Sequence, residues 1–245
     1  MSDALNTTER QTLSVFRASY PRLISHVQPV IHTFFAGLRA SLDHTDQAPL
    51  EHTLSKFWDD LFPGVYHSAV HAKMAPFTQS YSDCIRDSRK TIRPWGIVPS
   101  LVDDPVTRFI DAARLLFHAL KTAEDIAQNA PESYVFPVEC SAAATKMASC
   151  GLCHAVTQPP CHDLCLNVAR GCLAPLSEVG GGWADLVSGV ARASRALRTA
   201  RPVLDRLTDH LPDAVLVAME TGPKLQKKVS QKIPIIYFKL GDIIL

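Results

Sequence analysis

The chain has 245 residues, of which 47% are apolar and 20% charged, a globular composition that excludes general disorder. A formal net charge of +1 argues against a molecule-wide footprint for nucleic acid, and eleven glycines are too few for a turn-rich sandwich or barrel. This length suits one large domain or two small ones.

Leu13, Phe16, Tyr20, Leu23, Ile24, Val27, Val30, Ile31, Phe34, Phe35 and Leu38 recur at three- and four-residue steps. That spacing predicts one face of a long helix, with Thr7 or Thr8 as N-cap and kinks at Pro21 and Pro29. A second helix is expected over about Leu50–Leu61 through Leu54, Phe57, Trp58 and Leu61, ended by Pro63-Gly64. A third covers roughly Ala75–Arg89 and carries Phe77, Tyr81 and Cys84. Two prolines and a glycine make Arg93–Pro99 a loop.

A fourth helix follows over about Asp104–Gln128, with Phe109, Ala113, Leu116, Phe117, Leu120 and Ile126 on one side. Ser141–Cys153 and Cys161–Leu173 read as two short helices joined by a turn at Gln158-Pro-Pro160. Gly180-Gly-Gly182 precedes a further helix over about Trp183–Ala200, which Pro202 ends. No alternating strand pattern of useful length precedes residue 233. The fold class expected is all-α: a bundle of long helices with one cysteine-stapled corner.

The first ten residues are polar and hold no apolar signal core. Ile233–Leu245 is the one dense apolar run, but it has 13 residues, broken by Pro234, Lys239, Gly241 and Asp242. A spanning helix needs about 20 apolar residues, so this tail is too short to cross a bilayer.

Six of the seven cysteines, Cys140, Cys150, Cys153, Cys161, Cys165 and Cys172, fall within one stretch, and Cys84 stands apart. Three chemistries compete for them. Cys150-Gly-Leu-Cys153-His154 matches a c-type haem attachment pattern, with His154 proximal and Met147 or another methionine distal. Cys150-x2-Cys153 with Cys161-x3-Cys165 resembles a four-thiolate zinc site, with His154 and His162 as spare ligands, although the gap between pairs is short and Cys140 and Cys172 are left out. The third is a disulfide framework formed in an oxidising compartment. Cys165 and Cys172 lie two turns apart on one helix and cannot bridge each other, so they must staple it elsewhere. One bridge closing a loop of about 30 residues contributes about 3–4 kcal/mol. An odd cysteine count leaves at least one thiol without an in-chain partner.

Cys150-Gly-Leu-Cys153…Pro160-Cys161-x3-Cys165-x-Asn167-Val168-x-Arg170-Gly171-Cys172-Leu173-Ala174…Trp183 resembles the signature of the glypicans, lipid-anchored heparan sulfate proteoglycans of animal cell surfaces. Leu5-Asn6-x-Thr8-Glu9-Arg10, Phe57-Trp58-x-x-Leu61-Phe62, Tyr81-x-Asp83-Cys84…Arg93-Pro94-Trp95-Gly96-x-x-Pro99, Ala112-Ala113-Arg114-x-x-x-His118-Ala119-Leu120 and Ala123-x-Asp125-Ile126 resemble family segments in the same order. The likeness covers about residues 1–232, read as a partial core domain, with 233–245 a non-matching apolar tail.

The resemblance implies that Cys140 and Cys172 bridge each other. It implies that Cys150 and Cys153 pair with an N-terminal cysteine cluster, and that Cys84, Cys161 and Cys165 pair with cysteines further downstream. All five then lack in-chain partners, as in an incomplete chain without signal peptide, distal core or anchor signal. It also implies that the helical bundle is elongated and its cysteine-rich corner disulfide-stapled. The function implied is that of a non-enzymatic scaffold at the cell surface, held by a glycosylphosphatidylinositol (GPI) anchor. Its partners would be secreted growth factors and morphogens (Wnt, Hedgehog, fibroblast growth factor, bone morphogenetic protein). No cofactor is expected beyond the heparan sulfate and anchor of a full-length relative, and no nucleic acid. Zinc or haem binding at Cys150, Cys153 and His154 remains the competing expectation.

Asn6-Thr7-Thr8 is an N-glycosylation sequon that falls at a family position. Ser188-Gly189 is the one Ser-Gly pair, but it lies within a predicted helix and is not expected to carry a glycosaminoglycan. Arg192, Arg195, Arg198 and Arg201 form an i, i+3 ladder read as a solvated helix face. The ten histidines are dispersed, and no nucleophile elbow, P-loop or dinucleotide fingerprint occurs.

Overall fold

The structure is a computed structural model that describes residues 1–42, 50–129, 137–149, 161–174 and 177–232, with side chains from 180 onward in the last stretch. Among them the regular structure is all helix: α1 (Ser2–Ser19), α2 (Ile24–Leu42), α3 (Leu50–Val70), α4 (Gln79–Ile92), α5 (Val98–Asn129), α6 (Val138–Ser149), α7 (His162–Leu173), α8 (Ser177–Ala200), α9 (Val203–Glu220) and α10 (Gly222–Lys232). The fold class is all-α. The chain divides into two compact units, Met1–Arg114 with Ala196–Leu245, and Leu115–Arg195.

The first unit holds the hydrophobic core. In it α2 packs on α3, α1 on α2 and α9, and α3 on α4, α9 and α10. Phe57, Trp58, Leu61 and Phe62 lie on the inner side of α3, all nearly inaccessible to solvent. From them a chain of aromatic contacts runs through the core. Phe34 meets Phe57 with ring centroids 4.4 Å apart, Phe57 meets Trp58 at 4.9 Å, and Trp95 reaches both Trp58 at 5.9 Å and Phe62 at 5.8 Å. Such pairs add roughly 0.5–1.5 kcal/mol each beyond the area they bury.

Several predicted boundaries move. The first helix starts at Ser2, ahead of Thr7 and Thr8, and Thr7 turns its hydroxyl back to the Asp3 carbonyl at 2.9 Å. Pro21 separates two helices; Tyr20 closes α1 in a non-helical conformation with its N–H on the Phe16 carbonyl. Pro63-Gly64 does not end α3, which continues to Val70. Proline in a helix interior costs about 3 kcal/mol, but stopping there would expose Val65 and Tyr66, both fully buried. Gly64 serves the packing instead, because a Cβ there would stand 3.0 Å from His26 Cβ on α2.

The helix predicted from Ala75 begins instead at Gln79 as α4, capped by the Thr78 hydroxyl, which accepts from the Tyr81 N–H at 3.3 Å. The following loop is shorter than predicted. Arg93 caps α4 in the left-handed region (φ 52°), Gly96 follows at φ 57°, and α5 starts at Val98, passing through Pro105. Val98, Val102, Val106, Phe109 and Ile110 bury one face of α5 and outweigh the proline. The Gly180-Gly-Gly182 triplet lies inside α8. Two helices, α9 and α10, follow Pro202, where no element was predicted. Val203, Leu204, Leu207, Leu211, Ala214, Val215 and Ala218 bury one side of α9.

The second unit is of a different kind. Among its described residues α6 buries no side chain and α7 buries only Cys172. A corner this poor in buried apolar surface needs a covalent staple to hold one geometry.

Candidate functional site

That staple is present. Cys140, near the start of α6, is disulfide-bonded to Cys172, near the end of α7, with Cα atoms 5.5 Å apart and a sequence separation of 32. The two helices pack against each other, and bonding the start of one to the end of the other suits an antiparallel hairpin. Cys161 caps α7 and Cys165 follows one turn later on the same side, the first exposed and the second half-buried. Both are free thiols, as is half-buried Cys84 on α4. Cys150, Cys153 and His154 lie outside the described residues. Among the described residues no group of three or more His, Cys, Asp or Glu side chains is placed to hold a metal ion.

Asn6 lies exposed on α1, with a built environment behind it. Its carboxamide oxygen accepts from Arg39 Nη1 at 2.9 Å. Arg39 also donates to Glu9 at 2.6 Å, and the other Glu9 oxygen lies 2.5 Å from His32 Nδ1. Glu9 is 8% exposed, so the Arg39 guanidinium and the His32 contact compensate a carboxylate that would be costly to bury alone. Thr8, the hydroxyl residue of the sequon, is buried. Residue identities announce the sequon but not the support, because Glu9, His32 and Arg39 meet only once α1 crosses α2.

Elsewhere the histidines are less dispersed than the sequence suggests. His67 and His71, four apart at the end of α3, both pack against Phe77, with ring centroids at 4.8 and 5.6 Å. Burial pulls the His71 pKa down, and neighbouring His67 adds to this. That pair was not predicted; its i, i+4 spacing is the signal the sequence carries for it. A groove of about 410 Å³ opens between α2 and α3, with Val30, Phe34 and Phe57 in its floor and Lys56 paired to Asp60 on its rim. Ser188 is exposed within α8, and Arg192, Arg195, Arg198 and Arg201 are exposed. Among the described residues no helix is long and apolar enough to cross a membrane.

Fold and site together define a helical, disulfide-crosslinked core with a sequon on its first helix. Residues 1–233 match the glypican family model, and the chain belongs to that family. It is similar to human glypican-5, at 29% identity over 231 residues covering 93% of this chain and 40% of that protein. Mouse glypican-5 is 30% identical over 230 residues, covering 92% and 40%. Among solved structures, C-terminally truncated glypican-1 superposes with a TM-score of 0.70 at 25% identity, covering 98% of this chain and 59% of that one. The chain thus spans about two fifths of the length of these curated relatives.

Proposed function

We propose that this chain is part of the core of a cell-surface heparan sulfate proteoglycan, acting as a non-enzymatic scaffold. On this reading residues 1–232 belong to the core domain and 233–245 stand outside it. A lipid anchor and heparan sulfate chains belong to the complete protein, and the scaffold regulates secreted signals of the Wnt, Hedgehog, fibroblast growth factor and bone morphogenetic protein classes. The observation that supports it most is the Cys140–Cys172 disulfide, which suits an oxidising compartment and is the pairing that the family resemblance implies. Cys84, Cys150, Cys153, Cys161 and Cys165 are proposed to bond cysteines outside this chain, and Asn6 to carry an N-glycan.

The sequon's geometry restricts when that glycan is added. With α1 formed and Thr8 buried, a transferase cannot take Asn6-Thr7-Thr8 in an extended conformation. Glycosylation therefore precedes folding, as it does during export.

The test is a chimera in which this chain replaces the matching segment of glypican-5, displayed on cells lacking their own glypicans. The reading predicts an altered reporter response to at least one of these signals, with Asn6 occupied by glycan. Surface display at normal level with no response altered would contradict it.

A further inference from the structure

Helix α10 is the most one-sided charged element in the first unit. Four of its eleven residues are lysines, Lys224, Lys227, Lys228 and Lys232, and none is acidic. It docks through Gly222, Leu225 and Val229, all buried, and Gly222 lies so close to α3 that a Cβ would stand 3.3 Å from the Ala69 carbonyl oxygen. At 3.6 residues per turn the four lysines fall within one arc of about 140°, and Lys224 to Lys232 spans about 12 Å. Uncharged Gln226 and Ser230 occupy the opposite flank.

The basic flank turns toward α4. Lys228 Nζ donates to the Ile92 carbonyl at 3.2 Å, which caps the end of α4, and exposed Lys90 and Arg93 lie at that same end. Several cations of α3, α4 and α5 find carboxylates: Lys56 pairs with Asp60, Arg86 with Asp60 and Asp83, and Lys121 with Glu124 and Asp125. On α10, among the described residues, none of the four lysines is paired with a carboxylate. Lysines at i, i+4 repel each other by a few tenths of a kcal/mol, and Lys224 in the first turn opposes the helix dipole. The arrangement works against local helix stability and leaves positive charge concentrated on one ridge.

We propose that this ridge, Lys224, Lys227, Lys228 and Lys232 of α10 with Lys90 and Arg93 of α4, binds a linear sulfated polysaccharide. The outward residues of α10 include no aromatic or large apolar side chain, so neither base stacking nor insertion into a lipid interface is available. What remains is ionic recognition of a flexible polyanion by counterion release. The choice of a sulfated glycan rests on the proteoglycan reading above; the binding itself does not require that reading to hold.

The experiment titrates a size-defined heparin oligosaccharide into the full chain, free of its own glycans, at two salt concentrations. The K224Q/K227Q/K228Q/K232Q variant keeps helix propensity, and it is expected to lose affinity by about tenfold or more and to show a flatter salt dependence. Wild-type affinity in a variant of unchanged helicity overturns the proposal. Amine acetylation of the wild-type protein tests it without substitution: bound oligosaccharide should protect Lys224, Lys227 and Lys228 but not Lys56 or Lys121, and uniform labelling overturns it. Tighter binding to phosphatidylserine vesicles than to the oligosaccharide at equal salt also overturns it, in favour of a lipid surface. The chimera above can fail while these measurements succeed, so the two readings are separable.

Discussion

Trp58 on α3 donates its indole N–H to Asp103 Oδ1 on α5 at 2.8 Å, which ties the aromatic core to a carboxylate beneath the surface. Burial pushes the Asp103 pKa up to about 6, while the Trp58 hydrogen bond and Arg89 oppose the shift. Because the folded pKa is raised, the linked stability is fully present below the unfolded value near 4 and is lost as pH rises through about 6. Asp103→Asn keeps an acceptor for Trp58 and removes the charge. It should raise stability at pH 7 by about 1–2 kcal/mol and give no gain near pH 4, seen as an upward Tm shift at neutral pH only.

The crossing of α2 and α3 depends on Gly37. A Cβ there would stand 2.6 Å from Thr53 Cγ2, closer than real atoms allow. Gly37→Ala gains helix propensity of about 1 kcal/mol yet should destabilise the protein by about 1–3 kcal/mol net through overpacking. Adding Thr53→Ser removes Cγ2 and should restore much of the loss in chemical denaturation. Equal damage in single and double variants would show that the clash is not the cause.

Glu9 holds His32 and Arg39 across the α1–α2 crossing. Glu9→Ala leaves both without their buried acceptor and should cost about 2 kcal/mol, with the loss visible in hydrogen exchange of α1. A change under about 0.5 kcal/mol, the level of ordinary surface substitutions, would contradict this role.

Much of the first unit was legible because a helical stripe is a local signal. Phe57, Trp58, Leu61 and Phe62 announce the inner side of α3 without any partner in view. Pro63 misled because its local cost is set against the burial of Val65 and Tyr66, which depends on the helices that α3 packs against. The exposed Gly180–Gly182 triplet lies inside α8 with no such burial to explain it. The α9 stripe from Val203 to Ala218 has the same period as the others and was readable, though not predicted. The support around Asn6 was not readable, since Arg39 is 33 positions away and Glu9 looks like any polar helix residue. Cysteine pairing cannot be deduced from spacing, so the partner of Cys140 came only from family resemblance and then from the structure.

Removing the staple should affect only its own unit. Cys140→Ser with Cys172→Ser should destabilise the α6–α7 pair by about 3–4 kcal/mol, read as faster proteolysis between residues 137 and 174. The first unit, which has its own core, should melt as before.

The most direct measurement is mass-spectrometric mapping of unreduced peptides from the chain produced in an oxidising host. A disulfide-stapled glypican core predicts a peptide containing Cys140 crosslinked to one containing Cys172. Recovery of both cysteines as free thiols, or of either joined to a different residue, would contradict it.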